Sequence, residues 1–403
     1  MLTVEEALTA ILSRVRPLGT ERVELLAALG RVLAEPIVSR RVIPPWPNSS
    51  MDGYALRAED TRADGAGLRV VGRVTAGSLP PRALGAGEAM RIFTGAPLPD
   101  GADAVVPQED VTLEGECVRI PGRVARGACV RPIGEDVRAG DLVLEPGRGL
   151  GAAEIGLLGT LGYARVAVGR RPRVAILSTG DELAELGTEP GPGQIPNTNS
   201  YALMAQVLEA GGEPVNLGVA PDRLEAIEAR VRAAGAADVL VSSAGVSVGE
   251  LDLVREALTR AGATLHLWQV SMRPGKPVTF GSLGGRLVFG LPGNPVSAMV
   301  TFELFVRPAI MRLAGARSFE RPRVRAHALA PIANPGTRRG YLRVTLHPDA
   351  GGWGARLTGG QGSAILRSMV AADGLAVVPG DTRVPAGGEL EVILLRPLPP
   401  GAR

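Results

Sequence analysis

The sequence predicts an α/β protein with additional β domains, built around a central, doubly wound and mostly parallel sheet. Three observations predict it. The chain has 403 residues, room for two to four domains at roughly 150 residues each. From Pro172 to Leu313 short apolar segments alternate with amphipathic ones, the pattern of parallel strands covered by helices on both faces. Residues 48–139 and those after Gly315 instead carry short β-like runs broken by Gly and Pro, which number 54 and 33 in the chain.

The elements follow in order. Apolar spacing at Val4, Ala7, Leu8, Ile11 and Leu12 predicts a helix over 3–16. Val23, Leu26, Leu29, Val32 and Leu33 predict a second over 20–35. Pro36 to Pro47 reads as an extended linker. Leu68–Val74, Ala89–Phe93, Ala104–Pro107 and Cys117–Ile120 read as strands of a β insertion, and Gly151–Leu161 as a helix. Strands are expected at Val174–Leu177, Pro214–Leu217, Asp238–Ser242 and Thr264–Trp268, with a hairpin of Pro277–Phe280 and Leu287–Gly290. Helices are expected at Tyr201–Glu209, Arg223–Ala233, Leu251–Arg260 and Val296–Leu313. Pro322–Ala328, Tyr341–Leu346 and Leu390–Leu395 predict a C-terminal β barrel or sandwich. The expected domains are 1–47 plus 140–171 (a split helical and linker domain), 48–139, 172–315 and 316–403.

Composition narrows the function. Lys and Arg total 44 against 41 Asp and Glu, and no run of like charge stands out, which argues against a nucleic-acid partner. Aromatics are 3%, too few for base-stacking platforms. Cys117 and Cys129 form neither a C-x-x-C pair nor a disulfide framework. The three histidines are scattered, which disfavours a zinc site. The acidic, amphipathic start is unlike a secretory signal, and the apolar stretch Leu150–Val168 carries Glu154, Arg165 and several glycines, unlike a membrane span. A cytoplasmic protein is the expectation. One fact stands apart: of the 44 basic residues, Lys276 is the single lysine. An ammonium is a compact point charge and a guanidinium a broad plane, so a tight anion pocket would resist the exchange that Arg has made elsewhere.

Ligands of open α/β sheets bind beyond the carboxyl ends of the strands, and four loops there are chemically rich. In Ser178-Thr179-Gly180-Asp181-Glu182, the two acids offer oxygen ligands to Mg²⁺, although Asp181 also reads as a helix cap. Ser242–Asp252 presents Gly and Ser backbone N–H groups and hydroxyls suited to a phosphate. Met272-Arg273-Pro274-Gly275-Lys276-Pro277 sets two cations three residues apart on a stiff turn. Leu291-Pro292-Gly293-Asn294-Pro295-Val296-Ser297 leaves N–H groups and a hydroxyl facing outward. Together they predict a large, phosphate-bearing anion. Neither a G-x-G-x-x-G fingerprint nor a P-loop is present.

The motif Pro47-Asn48-Ser49-Ser50-Met51-Asp52-Gly53-Tyr54-Ala55 resembles the hallmark of molybdopterin molybdenumtransferases of the MoeA type, shared by the C-terminal domain of gephyrin. Ile92–Pro97, Gly134-Glu135-Asp136, Ser178–Leu183, Gly245–Asp252, Pro274–Pro277 and Leu291–Ser297 match further, in family order over nearly the whole chain. The resemblance implies an elongated four-part subunit with a molybdopterin-binding fold. It implies a homodimer whose cleft lies between one subunit's α/β domain and the partner's insertion. The implied reaction takes adenylylated molybdopterin and molybdate, with Mg²⁺, and releases AMP. A molybdopterin adenylyltransferase and downstream molybdoenzymes are the implied protein partners. By motif, Asp52, Thr94, Asp136, Glu182, Asp222 and Asp252 carry over as catalytic positions. Gly245, Ser247, Gly249, Arg273, Lys276, Pro292, Gly293, Asn294, Pro295, Ser297, Arg343 and Ser363 carry over as ligand-binding ones, and Asp181, Glu182 and Asp252 as candidates for the metal.

The chain departs from the family pattern at four positions. Pro47 stands where Asp is frequent, Gln269 and Arg273 where Lys occurs, and Ala244 where Gly is frequent. The last should be tolerated provided that residue needs no positive φ. Two other functions compete: adenylylation of molybdopterin by the same kind of α/β domain, and a non-enzymatic scaffold. The Asp52 segment and flanking domains argue against the first, and the lack of a disordered interaction linker against the second.

Overall fold

The computed structural model describes residues 1–62, 65–244, 253–349 and 352–398. Its contacts divide the chain into two compact units. One comprises Met1–Glu35, Pro146–Ile155 and Ala164–Arg403, and the other Pro36–Glu145 and Gly156–Tyr163.

In the first unit a six-stranded sheet runs in the order Glu213–Ala220, Arg173–Thr179, Val239–Ser243, Arg286–Leu291, Pro277–Leu283, Thr264–Gln269. The first four strands are parallel, and the last two are antiparallel to their neighbours. Arg286 pairs with Leu283 across Gly284 and Gly285, at φ 56° and 84°, the left-handed pair that a tight hairpin needs. Successive strand residues serve two cores. Val174, Ile176, Val239, Val241, Phe289 and Leu291 join Leu203, Val207, Val300 and Phe302 on one face. Ala175, Leu177, Leu240 and Val288 join Ile227, Val231, Val254 and Leu258 on the other. Each fully buried aliphatic or aromatic side chain contributes about 1.5–3 kcal/mol, so burial on both faces explains why these strands read as unbroken apolar runs. The expected long helix spans Pro295–Thr301 and Arg307–Leu313 with a π segment, Phe302–Val306, between them.

The C-terminal strands close a barrel of five: Arg339–Asp349, Gly352–Leu357, Arg323–Ala328, Glu389–Leu394 and Gly374–Val378, which pairs back with the first. Closure leaves that barrel no open edge, and Val344, Leu346, Ala376 and Val392 fill it.

The expected helix over 20–35 is not present. Thr20–Glu24 is a strand paired antiparallel with Arg165–Gly169, and Leu25–Ala28 is a short 3₁₀ turn. A strand distant in sequence supplied partners that local periodicity does not reveal, and Leu26 and Leu29 stay exposed. The first helix is Val4–Leu12 rather than 3–16; Pro17 disfavours helical backbone at Arg16.

The second unit holds a six-stranded mixed sheet in the order Ala104–Pro107, Gly53–Leu56, Glu88–Ile92, Ala66–Val74, Cys117–Ile120, Thr112–Glu114. Gly53 is dictated by packing, because a Cβ there would lie 1.9 Å from the Val106 carbonyl oxygen.

Candidate functional site

The strand register gathers the chemically rich loops on one edge of the α/β sheet. Thr179 lies beside Ala220, Ser178 beside Ser243, Ser243 beside Leu291, Gly290 beside Thr279, and Gln269 beside Pro277. The 270–276 turn leaves from this same edge because its two flanking strands form an antiparallel pair.

That turn is fastened on three sides. The Ser271 N–H donates to Leu2 O (2.8 Å) and the Val270 N–H to Lys276 O (3.1 Å). Met272–Arg273 pairs with Arg339–Gly340 of the barrel. Arg338 donates to Met272 O at 3.1 Å, and Arg273 to Pro335 O at 3.1 Å. Gly275, at φ 101°, faces the Thr301 methyl, which a Cβ would meet at 2.4 Å. On this rigid turn the Lys276 side chain is half-buried, with no ion pair among the described residues. Arg273 is exposed.

Arg343, from the barrel, is 0% exposed. Its Nε donates to Ser368 Oγ (3.0 Å) and its Nη2 to Gly362 O (3.0 Å). Its buried Nη1 has no partner, and no described carboxylate pairs with it. Burial, and then the nearby Arg273 charge, push this guanidinium down to about 10. A buried cation without a counter-charge costs several kcal/mol, and a bound anion would offset that cost. Gln361, which the sequence reading did not single out, clamps the Arg343 backbone: its Oε1 accepts from the Arg343 N–H at 2.8 Å. Ser363 lies nearby, and its carbonyl accepts from the Val296 N–H at 3.0 Å, joining the barrel loop to the turn of Pro292, Gly293, Asn294 and Pro295. Asn294 caps the Pro295–Thr301 helix without a side-chain bond, and Ser297 is buried in its first turn.

At the end of Val239–Ser243, Ala244 adopts φ 77°. The proviso attached to its departure from Gly is therefore not met: this position does use the left-handed region, at about 1–2 kcal/mol for a residue with a Cβ. Ala244→Gly is expected to raise stability by roughly 0.5–1 kcal/mol after the entropy that Gly adds to the unfolded chain, measured by denaturant unfolding. A second residue that sequence reasoning missed is Asn199, in the first turn of Thr198–Glu209, which reaches both this loop and Gly293. Only its place after an N-cap signalled it.

The acids form two groups. Asp181 and Glu182 follow the Arg173–Thr179 strand, and Asp181 Oδ1 accepts from the Asp222 N–H at 3.1 Å. Partial burial, and then the charges of Asp181 and Glu182, raise the Asp222 carboxyl. A raised carboxyl binds more protons folded than unfolded, so its stability contribution is present at acid pH and lost as pH rises through the folded value. Asp222→Asn is therefore expected to melt higher than wild type at pH 7 and level with it below about pH 4, a difference thermal scans across pH will read. Among the described residues no group of three His, Cys, Asp or Glu side chains stands ready to hold a metal.

The other group belongs to the second unit. Asp52 Oδ1 accepts from both the Thr94 N–H and the Thr94 hydroxyl, each at 2.8 Å. Those two bonds, more than the Arg91 charge, hold its carboxyl below the usual range, so it is ionised at neutral pH. Arg91 stacks over Tyr54 and Phe93 at 5.1 and 4.9 Å and donates to Gly53 O at 3.1 Å. Asp136 is exposed in the turn after Gly134 and bonds through its backbone N–H to Ile43 O; its carboxylate joins neither Asp52 nor Thr94 in a hydrogen bond. Gly245, Ser247, Gly249 and Asp252 lie outside the described residues.

Lys276, the buried Ser297 hydroxyl and the acids Asp181, Glu182 and Asp222 lie on the loops and first helical turn at the carboxyl edge of a doubly wound sheet, the edge at which open α/β sheets bind ligands. Comparison with known proteins is more specific. Residues 2–162 match the MoeA N-terminal region (domains I and II), 175–312 a probable molybdopterin-binding domain, and 325–395 the MoeA C-terminal region (domain IV). A molybdopterin molybdenumtransferase from Nostoc sp. is 41% identical over 387 residues, covering 93% of this chain and 89% of the relative. Molybdopterin molybdenumtransferase 2 from Mycobacterium tuberculosis is 36% identical over 403 residues, covering 97% and 99%. A crystal structure of a molybdopterin biosynthesis MoeA protein from Pyrococcus horikoshii superposes with a TM-score of 0.84 at 32% identity, covering 98% of this chain and all of that one. The chain belongs to the molybdopterin molybdenumtransferase family, transferases of molybdenum cofactor biosynthesis. No helix among the described residues is long and apolar enough to cross a membrane.

Proposed function

We propose that this chain inserts molybdenum from molybdate into adenylylated molybdopterin and releases AMP. The observation that carries the reading is the pair of uncompensated cations, half-buried Lys276 and buried Arg343 with its free Nη1, the latter bonded to Gly362 next to Ser363. Molybdate is a tetrahedral dianion, and compact cations, hydroxyls and N–H groups suit it. In the proposed reaction two Mo–S bonds form to the dithiol. One oxo ligand leaves as water with the two thiol protons, so charge and the hexavalent state are kept. Water cleaves the phosphoanhydride, and AMP departs.

The residues take distinct parts. Lys276, Arg273 and Arg343 hold the oxyanion and offset its charge. The loops after Ser243 and Leu291, with Gly245, Ser247 and Gly249, grip the phosphates. Asp222, its proton affinity raised by its acidic neighbours, is suited to take up and return a proton as the oxo group leaves. Asp181 and Glu182, which follow the Arg173–Thr179 strand, are with Asp252 the candidate hard oxygen donors for a divalent cation. The two described carboxylates fit Mg²⁺ only in part; bound there, Mg²⁺ would supply charge neutralisation at the pyrophosphate. Asp52 and Thr94, with Asp136, would approach the site from a partner subunit in a homodimer. The cytoplasm is the proposed compartment.

Incubating the protein with adenylylated molybdopterin, molybdate and Mg²⁺ tests this. Molybdate-dependent AMP release, with activation of an apo-molybdoenzyme, is expected. Formation of the adenylylated pterin from ATP and molybdopterin, with no such release, would assign the chain the adenylylating role instead.

A further inference from the structure

Asn199 ties the end of one central strand to the loop that follows its neighbour. Ser243 and Leu291 are neighbours in the ladder, and the last backbone bond between their strands among the described residues runs from the Ala244 N–H to Leu291 O at 3.1 Å. Asn199 Nδ2 donates to Ser243 Oγ at 2.7 Å and, past the end of the neighbouring strand, to Gly293 O at 2.7 Å. A primary amide nitrogen has two hydrogens, and both are used. The amide's orientation is fixed by chemistry, because the Gly293 carbonyl only accepts and must face the nitrogen.

Asn199 is itself firmly held. It is the second residue of Thr198–Glu209, whose cap Asn197 accepts from the Ser200 N–H and from Ser178 Oγ, at 3.3 and 3.2 Å. Ser178, Asn197 and Ser200 are all buried, and Ser178 and Ser200 hydroxyls meet at 2.8 Å. At the far side the loops touch: a Cβ on Gly293 would meet the Ala244 methyl at 3.2 Å. Ala244 keeps its left-handed backbone, a conformation that persists only where surroundings over-determine it.

We propose that Asn199 is a positioning residue that fixes the gap between the Ser243–Ala244 and Pro292–Gly293 loops, so that a phosphate-bearing ligand bridging them meets a preset width. The inference rests on the ligand reading given above. A residue that only filled space would affect stability; one that sets the gap affects how tightly a bridging ligand is held before it affects turnover.

The test uses Asn199→Ala and Asn199→Asp in the full chain, the second keeping the shape without the donors. Hydrogen exchange is measured without ligand over peptides covering 239–244 and 287–294, with 339–349 as control. Faster uptake in the first two and none in the third is expected for both variants. With adenylylated molybdopterin, KM should rise about tenfold, the equivalent of one lost hydrogen bond, while kcat changes less than about threefold. In a Ser243→Ala background the Asn199→Ala effect on exchange should shrink, since one of its two acceptors is gone. Unchanged exchange in both loops, or Asn199→Asp indistinguishable from wild type, overturns the proposal. Because exchange is read without substrate, it decides the tie even if the protein fails to turn over adenylylated molybdopterin.

Discussion

Lys276→Ala is expected to lower kcat/KM for molybdenum insertion by about 100-fold or more with little change in stability. The two halves of that expectation have separate causes. Lys276 stands half-buried on a turn pinned by Leu2, by the barrel strand at Arg339–Gly340 and by Gly275. Its ammonium pairs with no described carboxylate, so truncation orphans no buried charge and the fold loses little. An oxyanion in that corner would lose its most compact donor. Lys276→Arg should restore charge without fit and recover only part of the activity, in keeping with a chain that uses Arg at every other basic position. Steady-state AMP release, with thermal melting as the control, reads both halves. A Lys276→Ala protein with wild-type turnover would contradict the assignment.

Arg343→Met is expected to keep the fold and lose the anion. Wild-type Arg343 is enclosed with Nη1 unsatisfied and its guanidinium pushed down to about 10. That depression, caused by burial first and the Arg273 charge second, is a cost the unliganded fold carries. Met has similar length and no charge. Its gain in desolvation offsets the lost bonds to Ser368 and Gly362, and stability at pH 7 should be unchanged or up to about 2 kcal/mol higher. The sign in pH follows: a cation with a depressed value binds fewer protons folded than unfolded, so wild-type stability rises with pH above about 10 and the variant's does not. Molybdate or tungstate should raise the wild-type melting temperature and leave that of Arg343→Met unmoved.

The central sheet and the loops at its carboxyl edge were legible because their signals are local. Val174–Leu177 and Leu287–Gly290 are buried on both faces and read as apolar runs, and the loops that follow them carry Pro, Gly and cations in short, unusual strings. What stayed hidden depends on distant partners. Thr20–Glu24 is a strand only because Arg165–Gly169 lies beside it. Arg343 is unusual for what surrounds it, since an arginine in an alternating strand gives no sign that its Nη1 will be sealed away. Asn199 acts through Ser243 and Gly293, 44 and 94 residues away. The left-handed turn at Ala244 was signalled only by the family pattern, in which Gly is frequent at that position.

In the proposed function one oxyanion is held by Lys276 and the arginines near it. Anomalous diffraction from crystals of the full chain soaked in tungstate or molybdate tests it most directly. A metal peak with oxygens within about 4 Å of Lys276 Nζ is expected. A peak bound only elsewhere, with the Lys276 amine turned to bulk water, would contradict it.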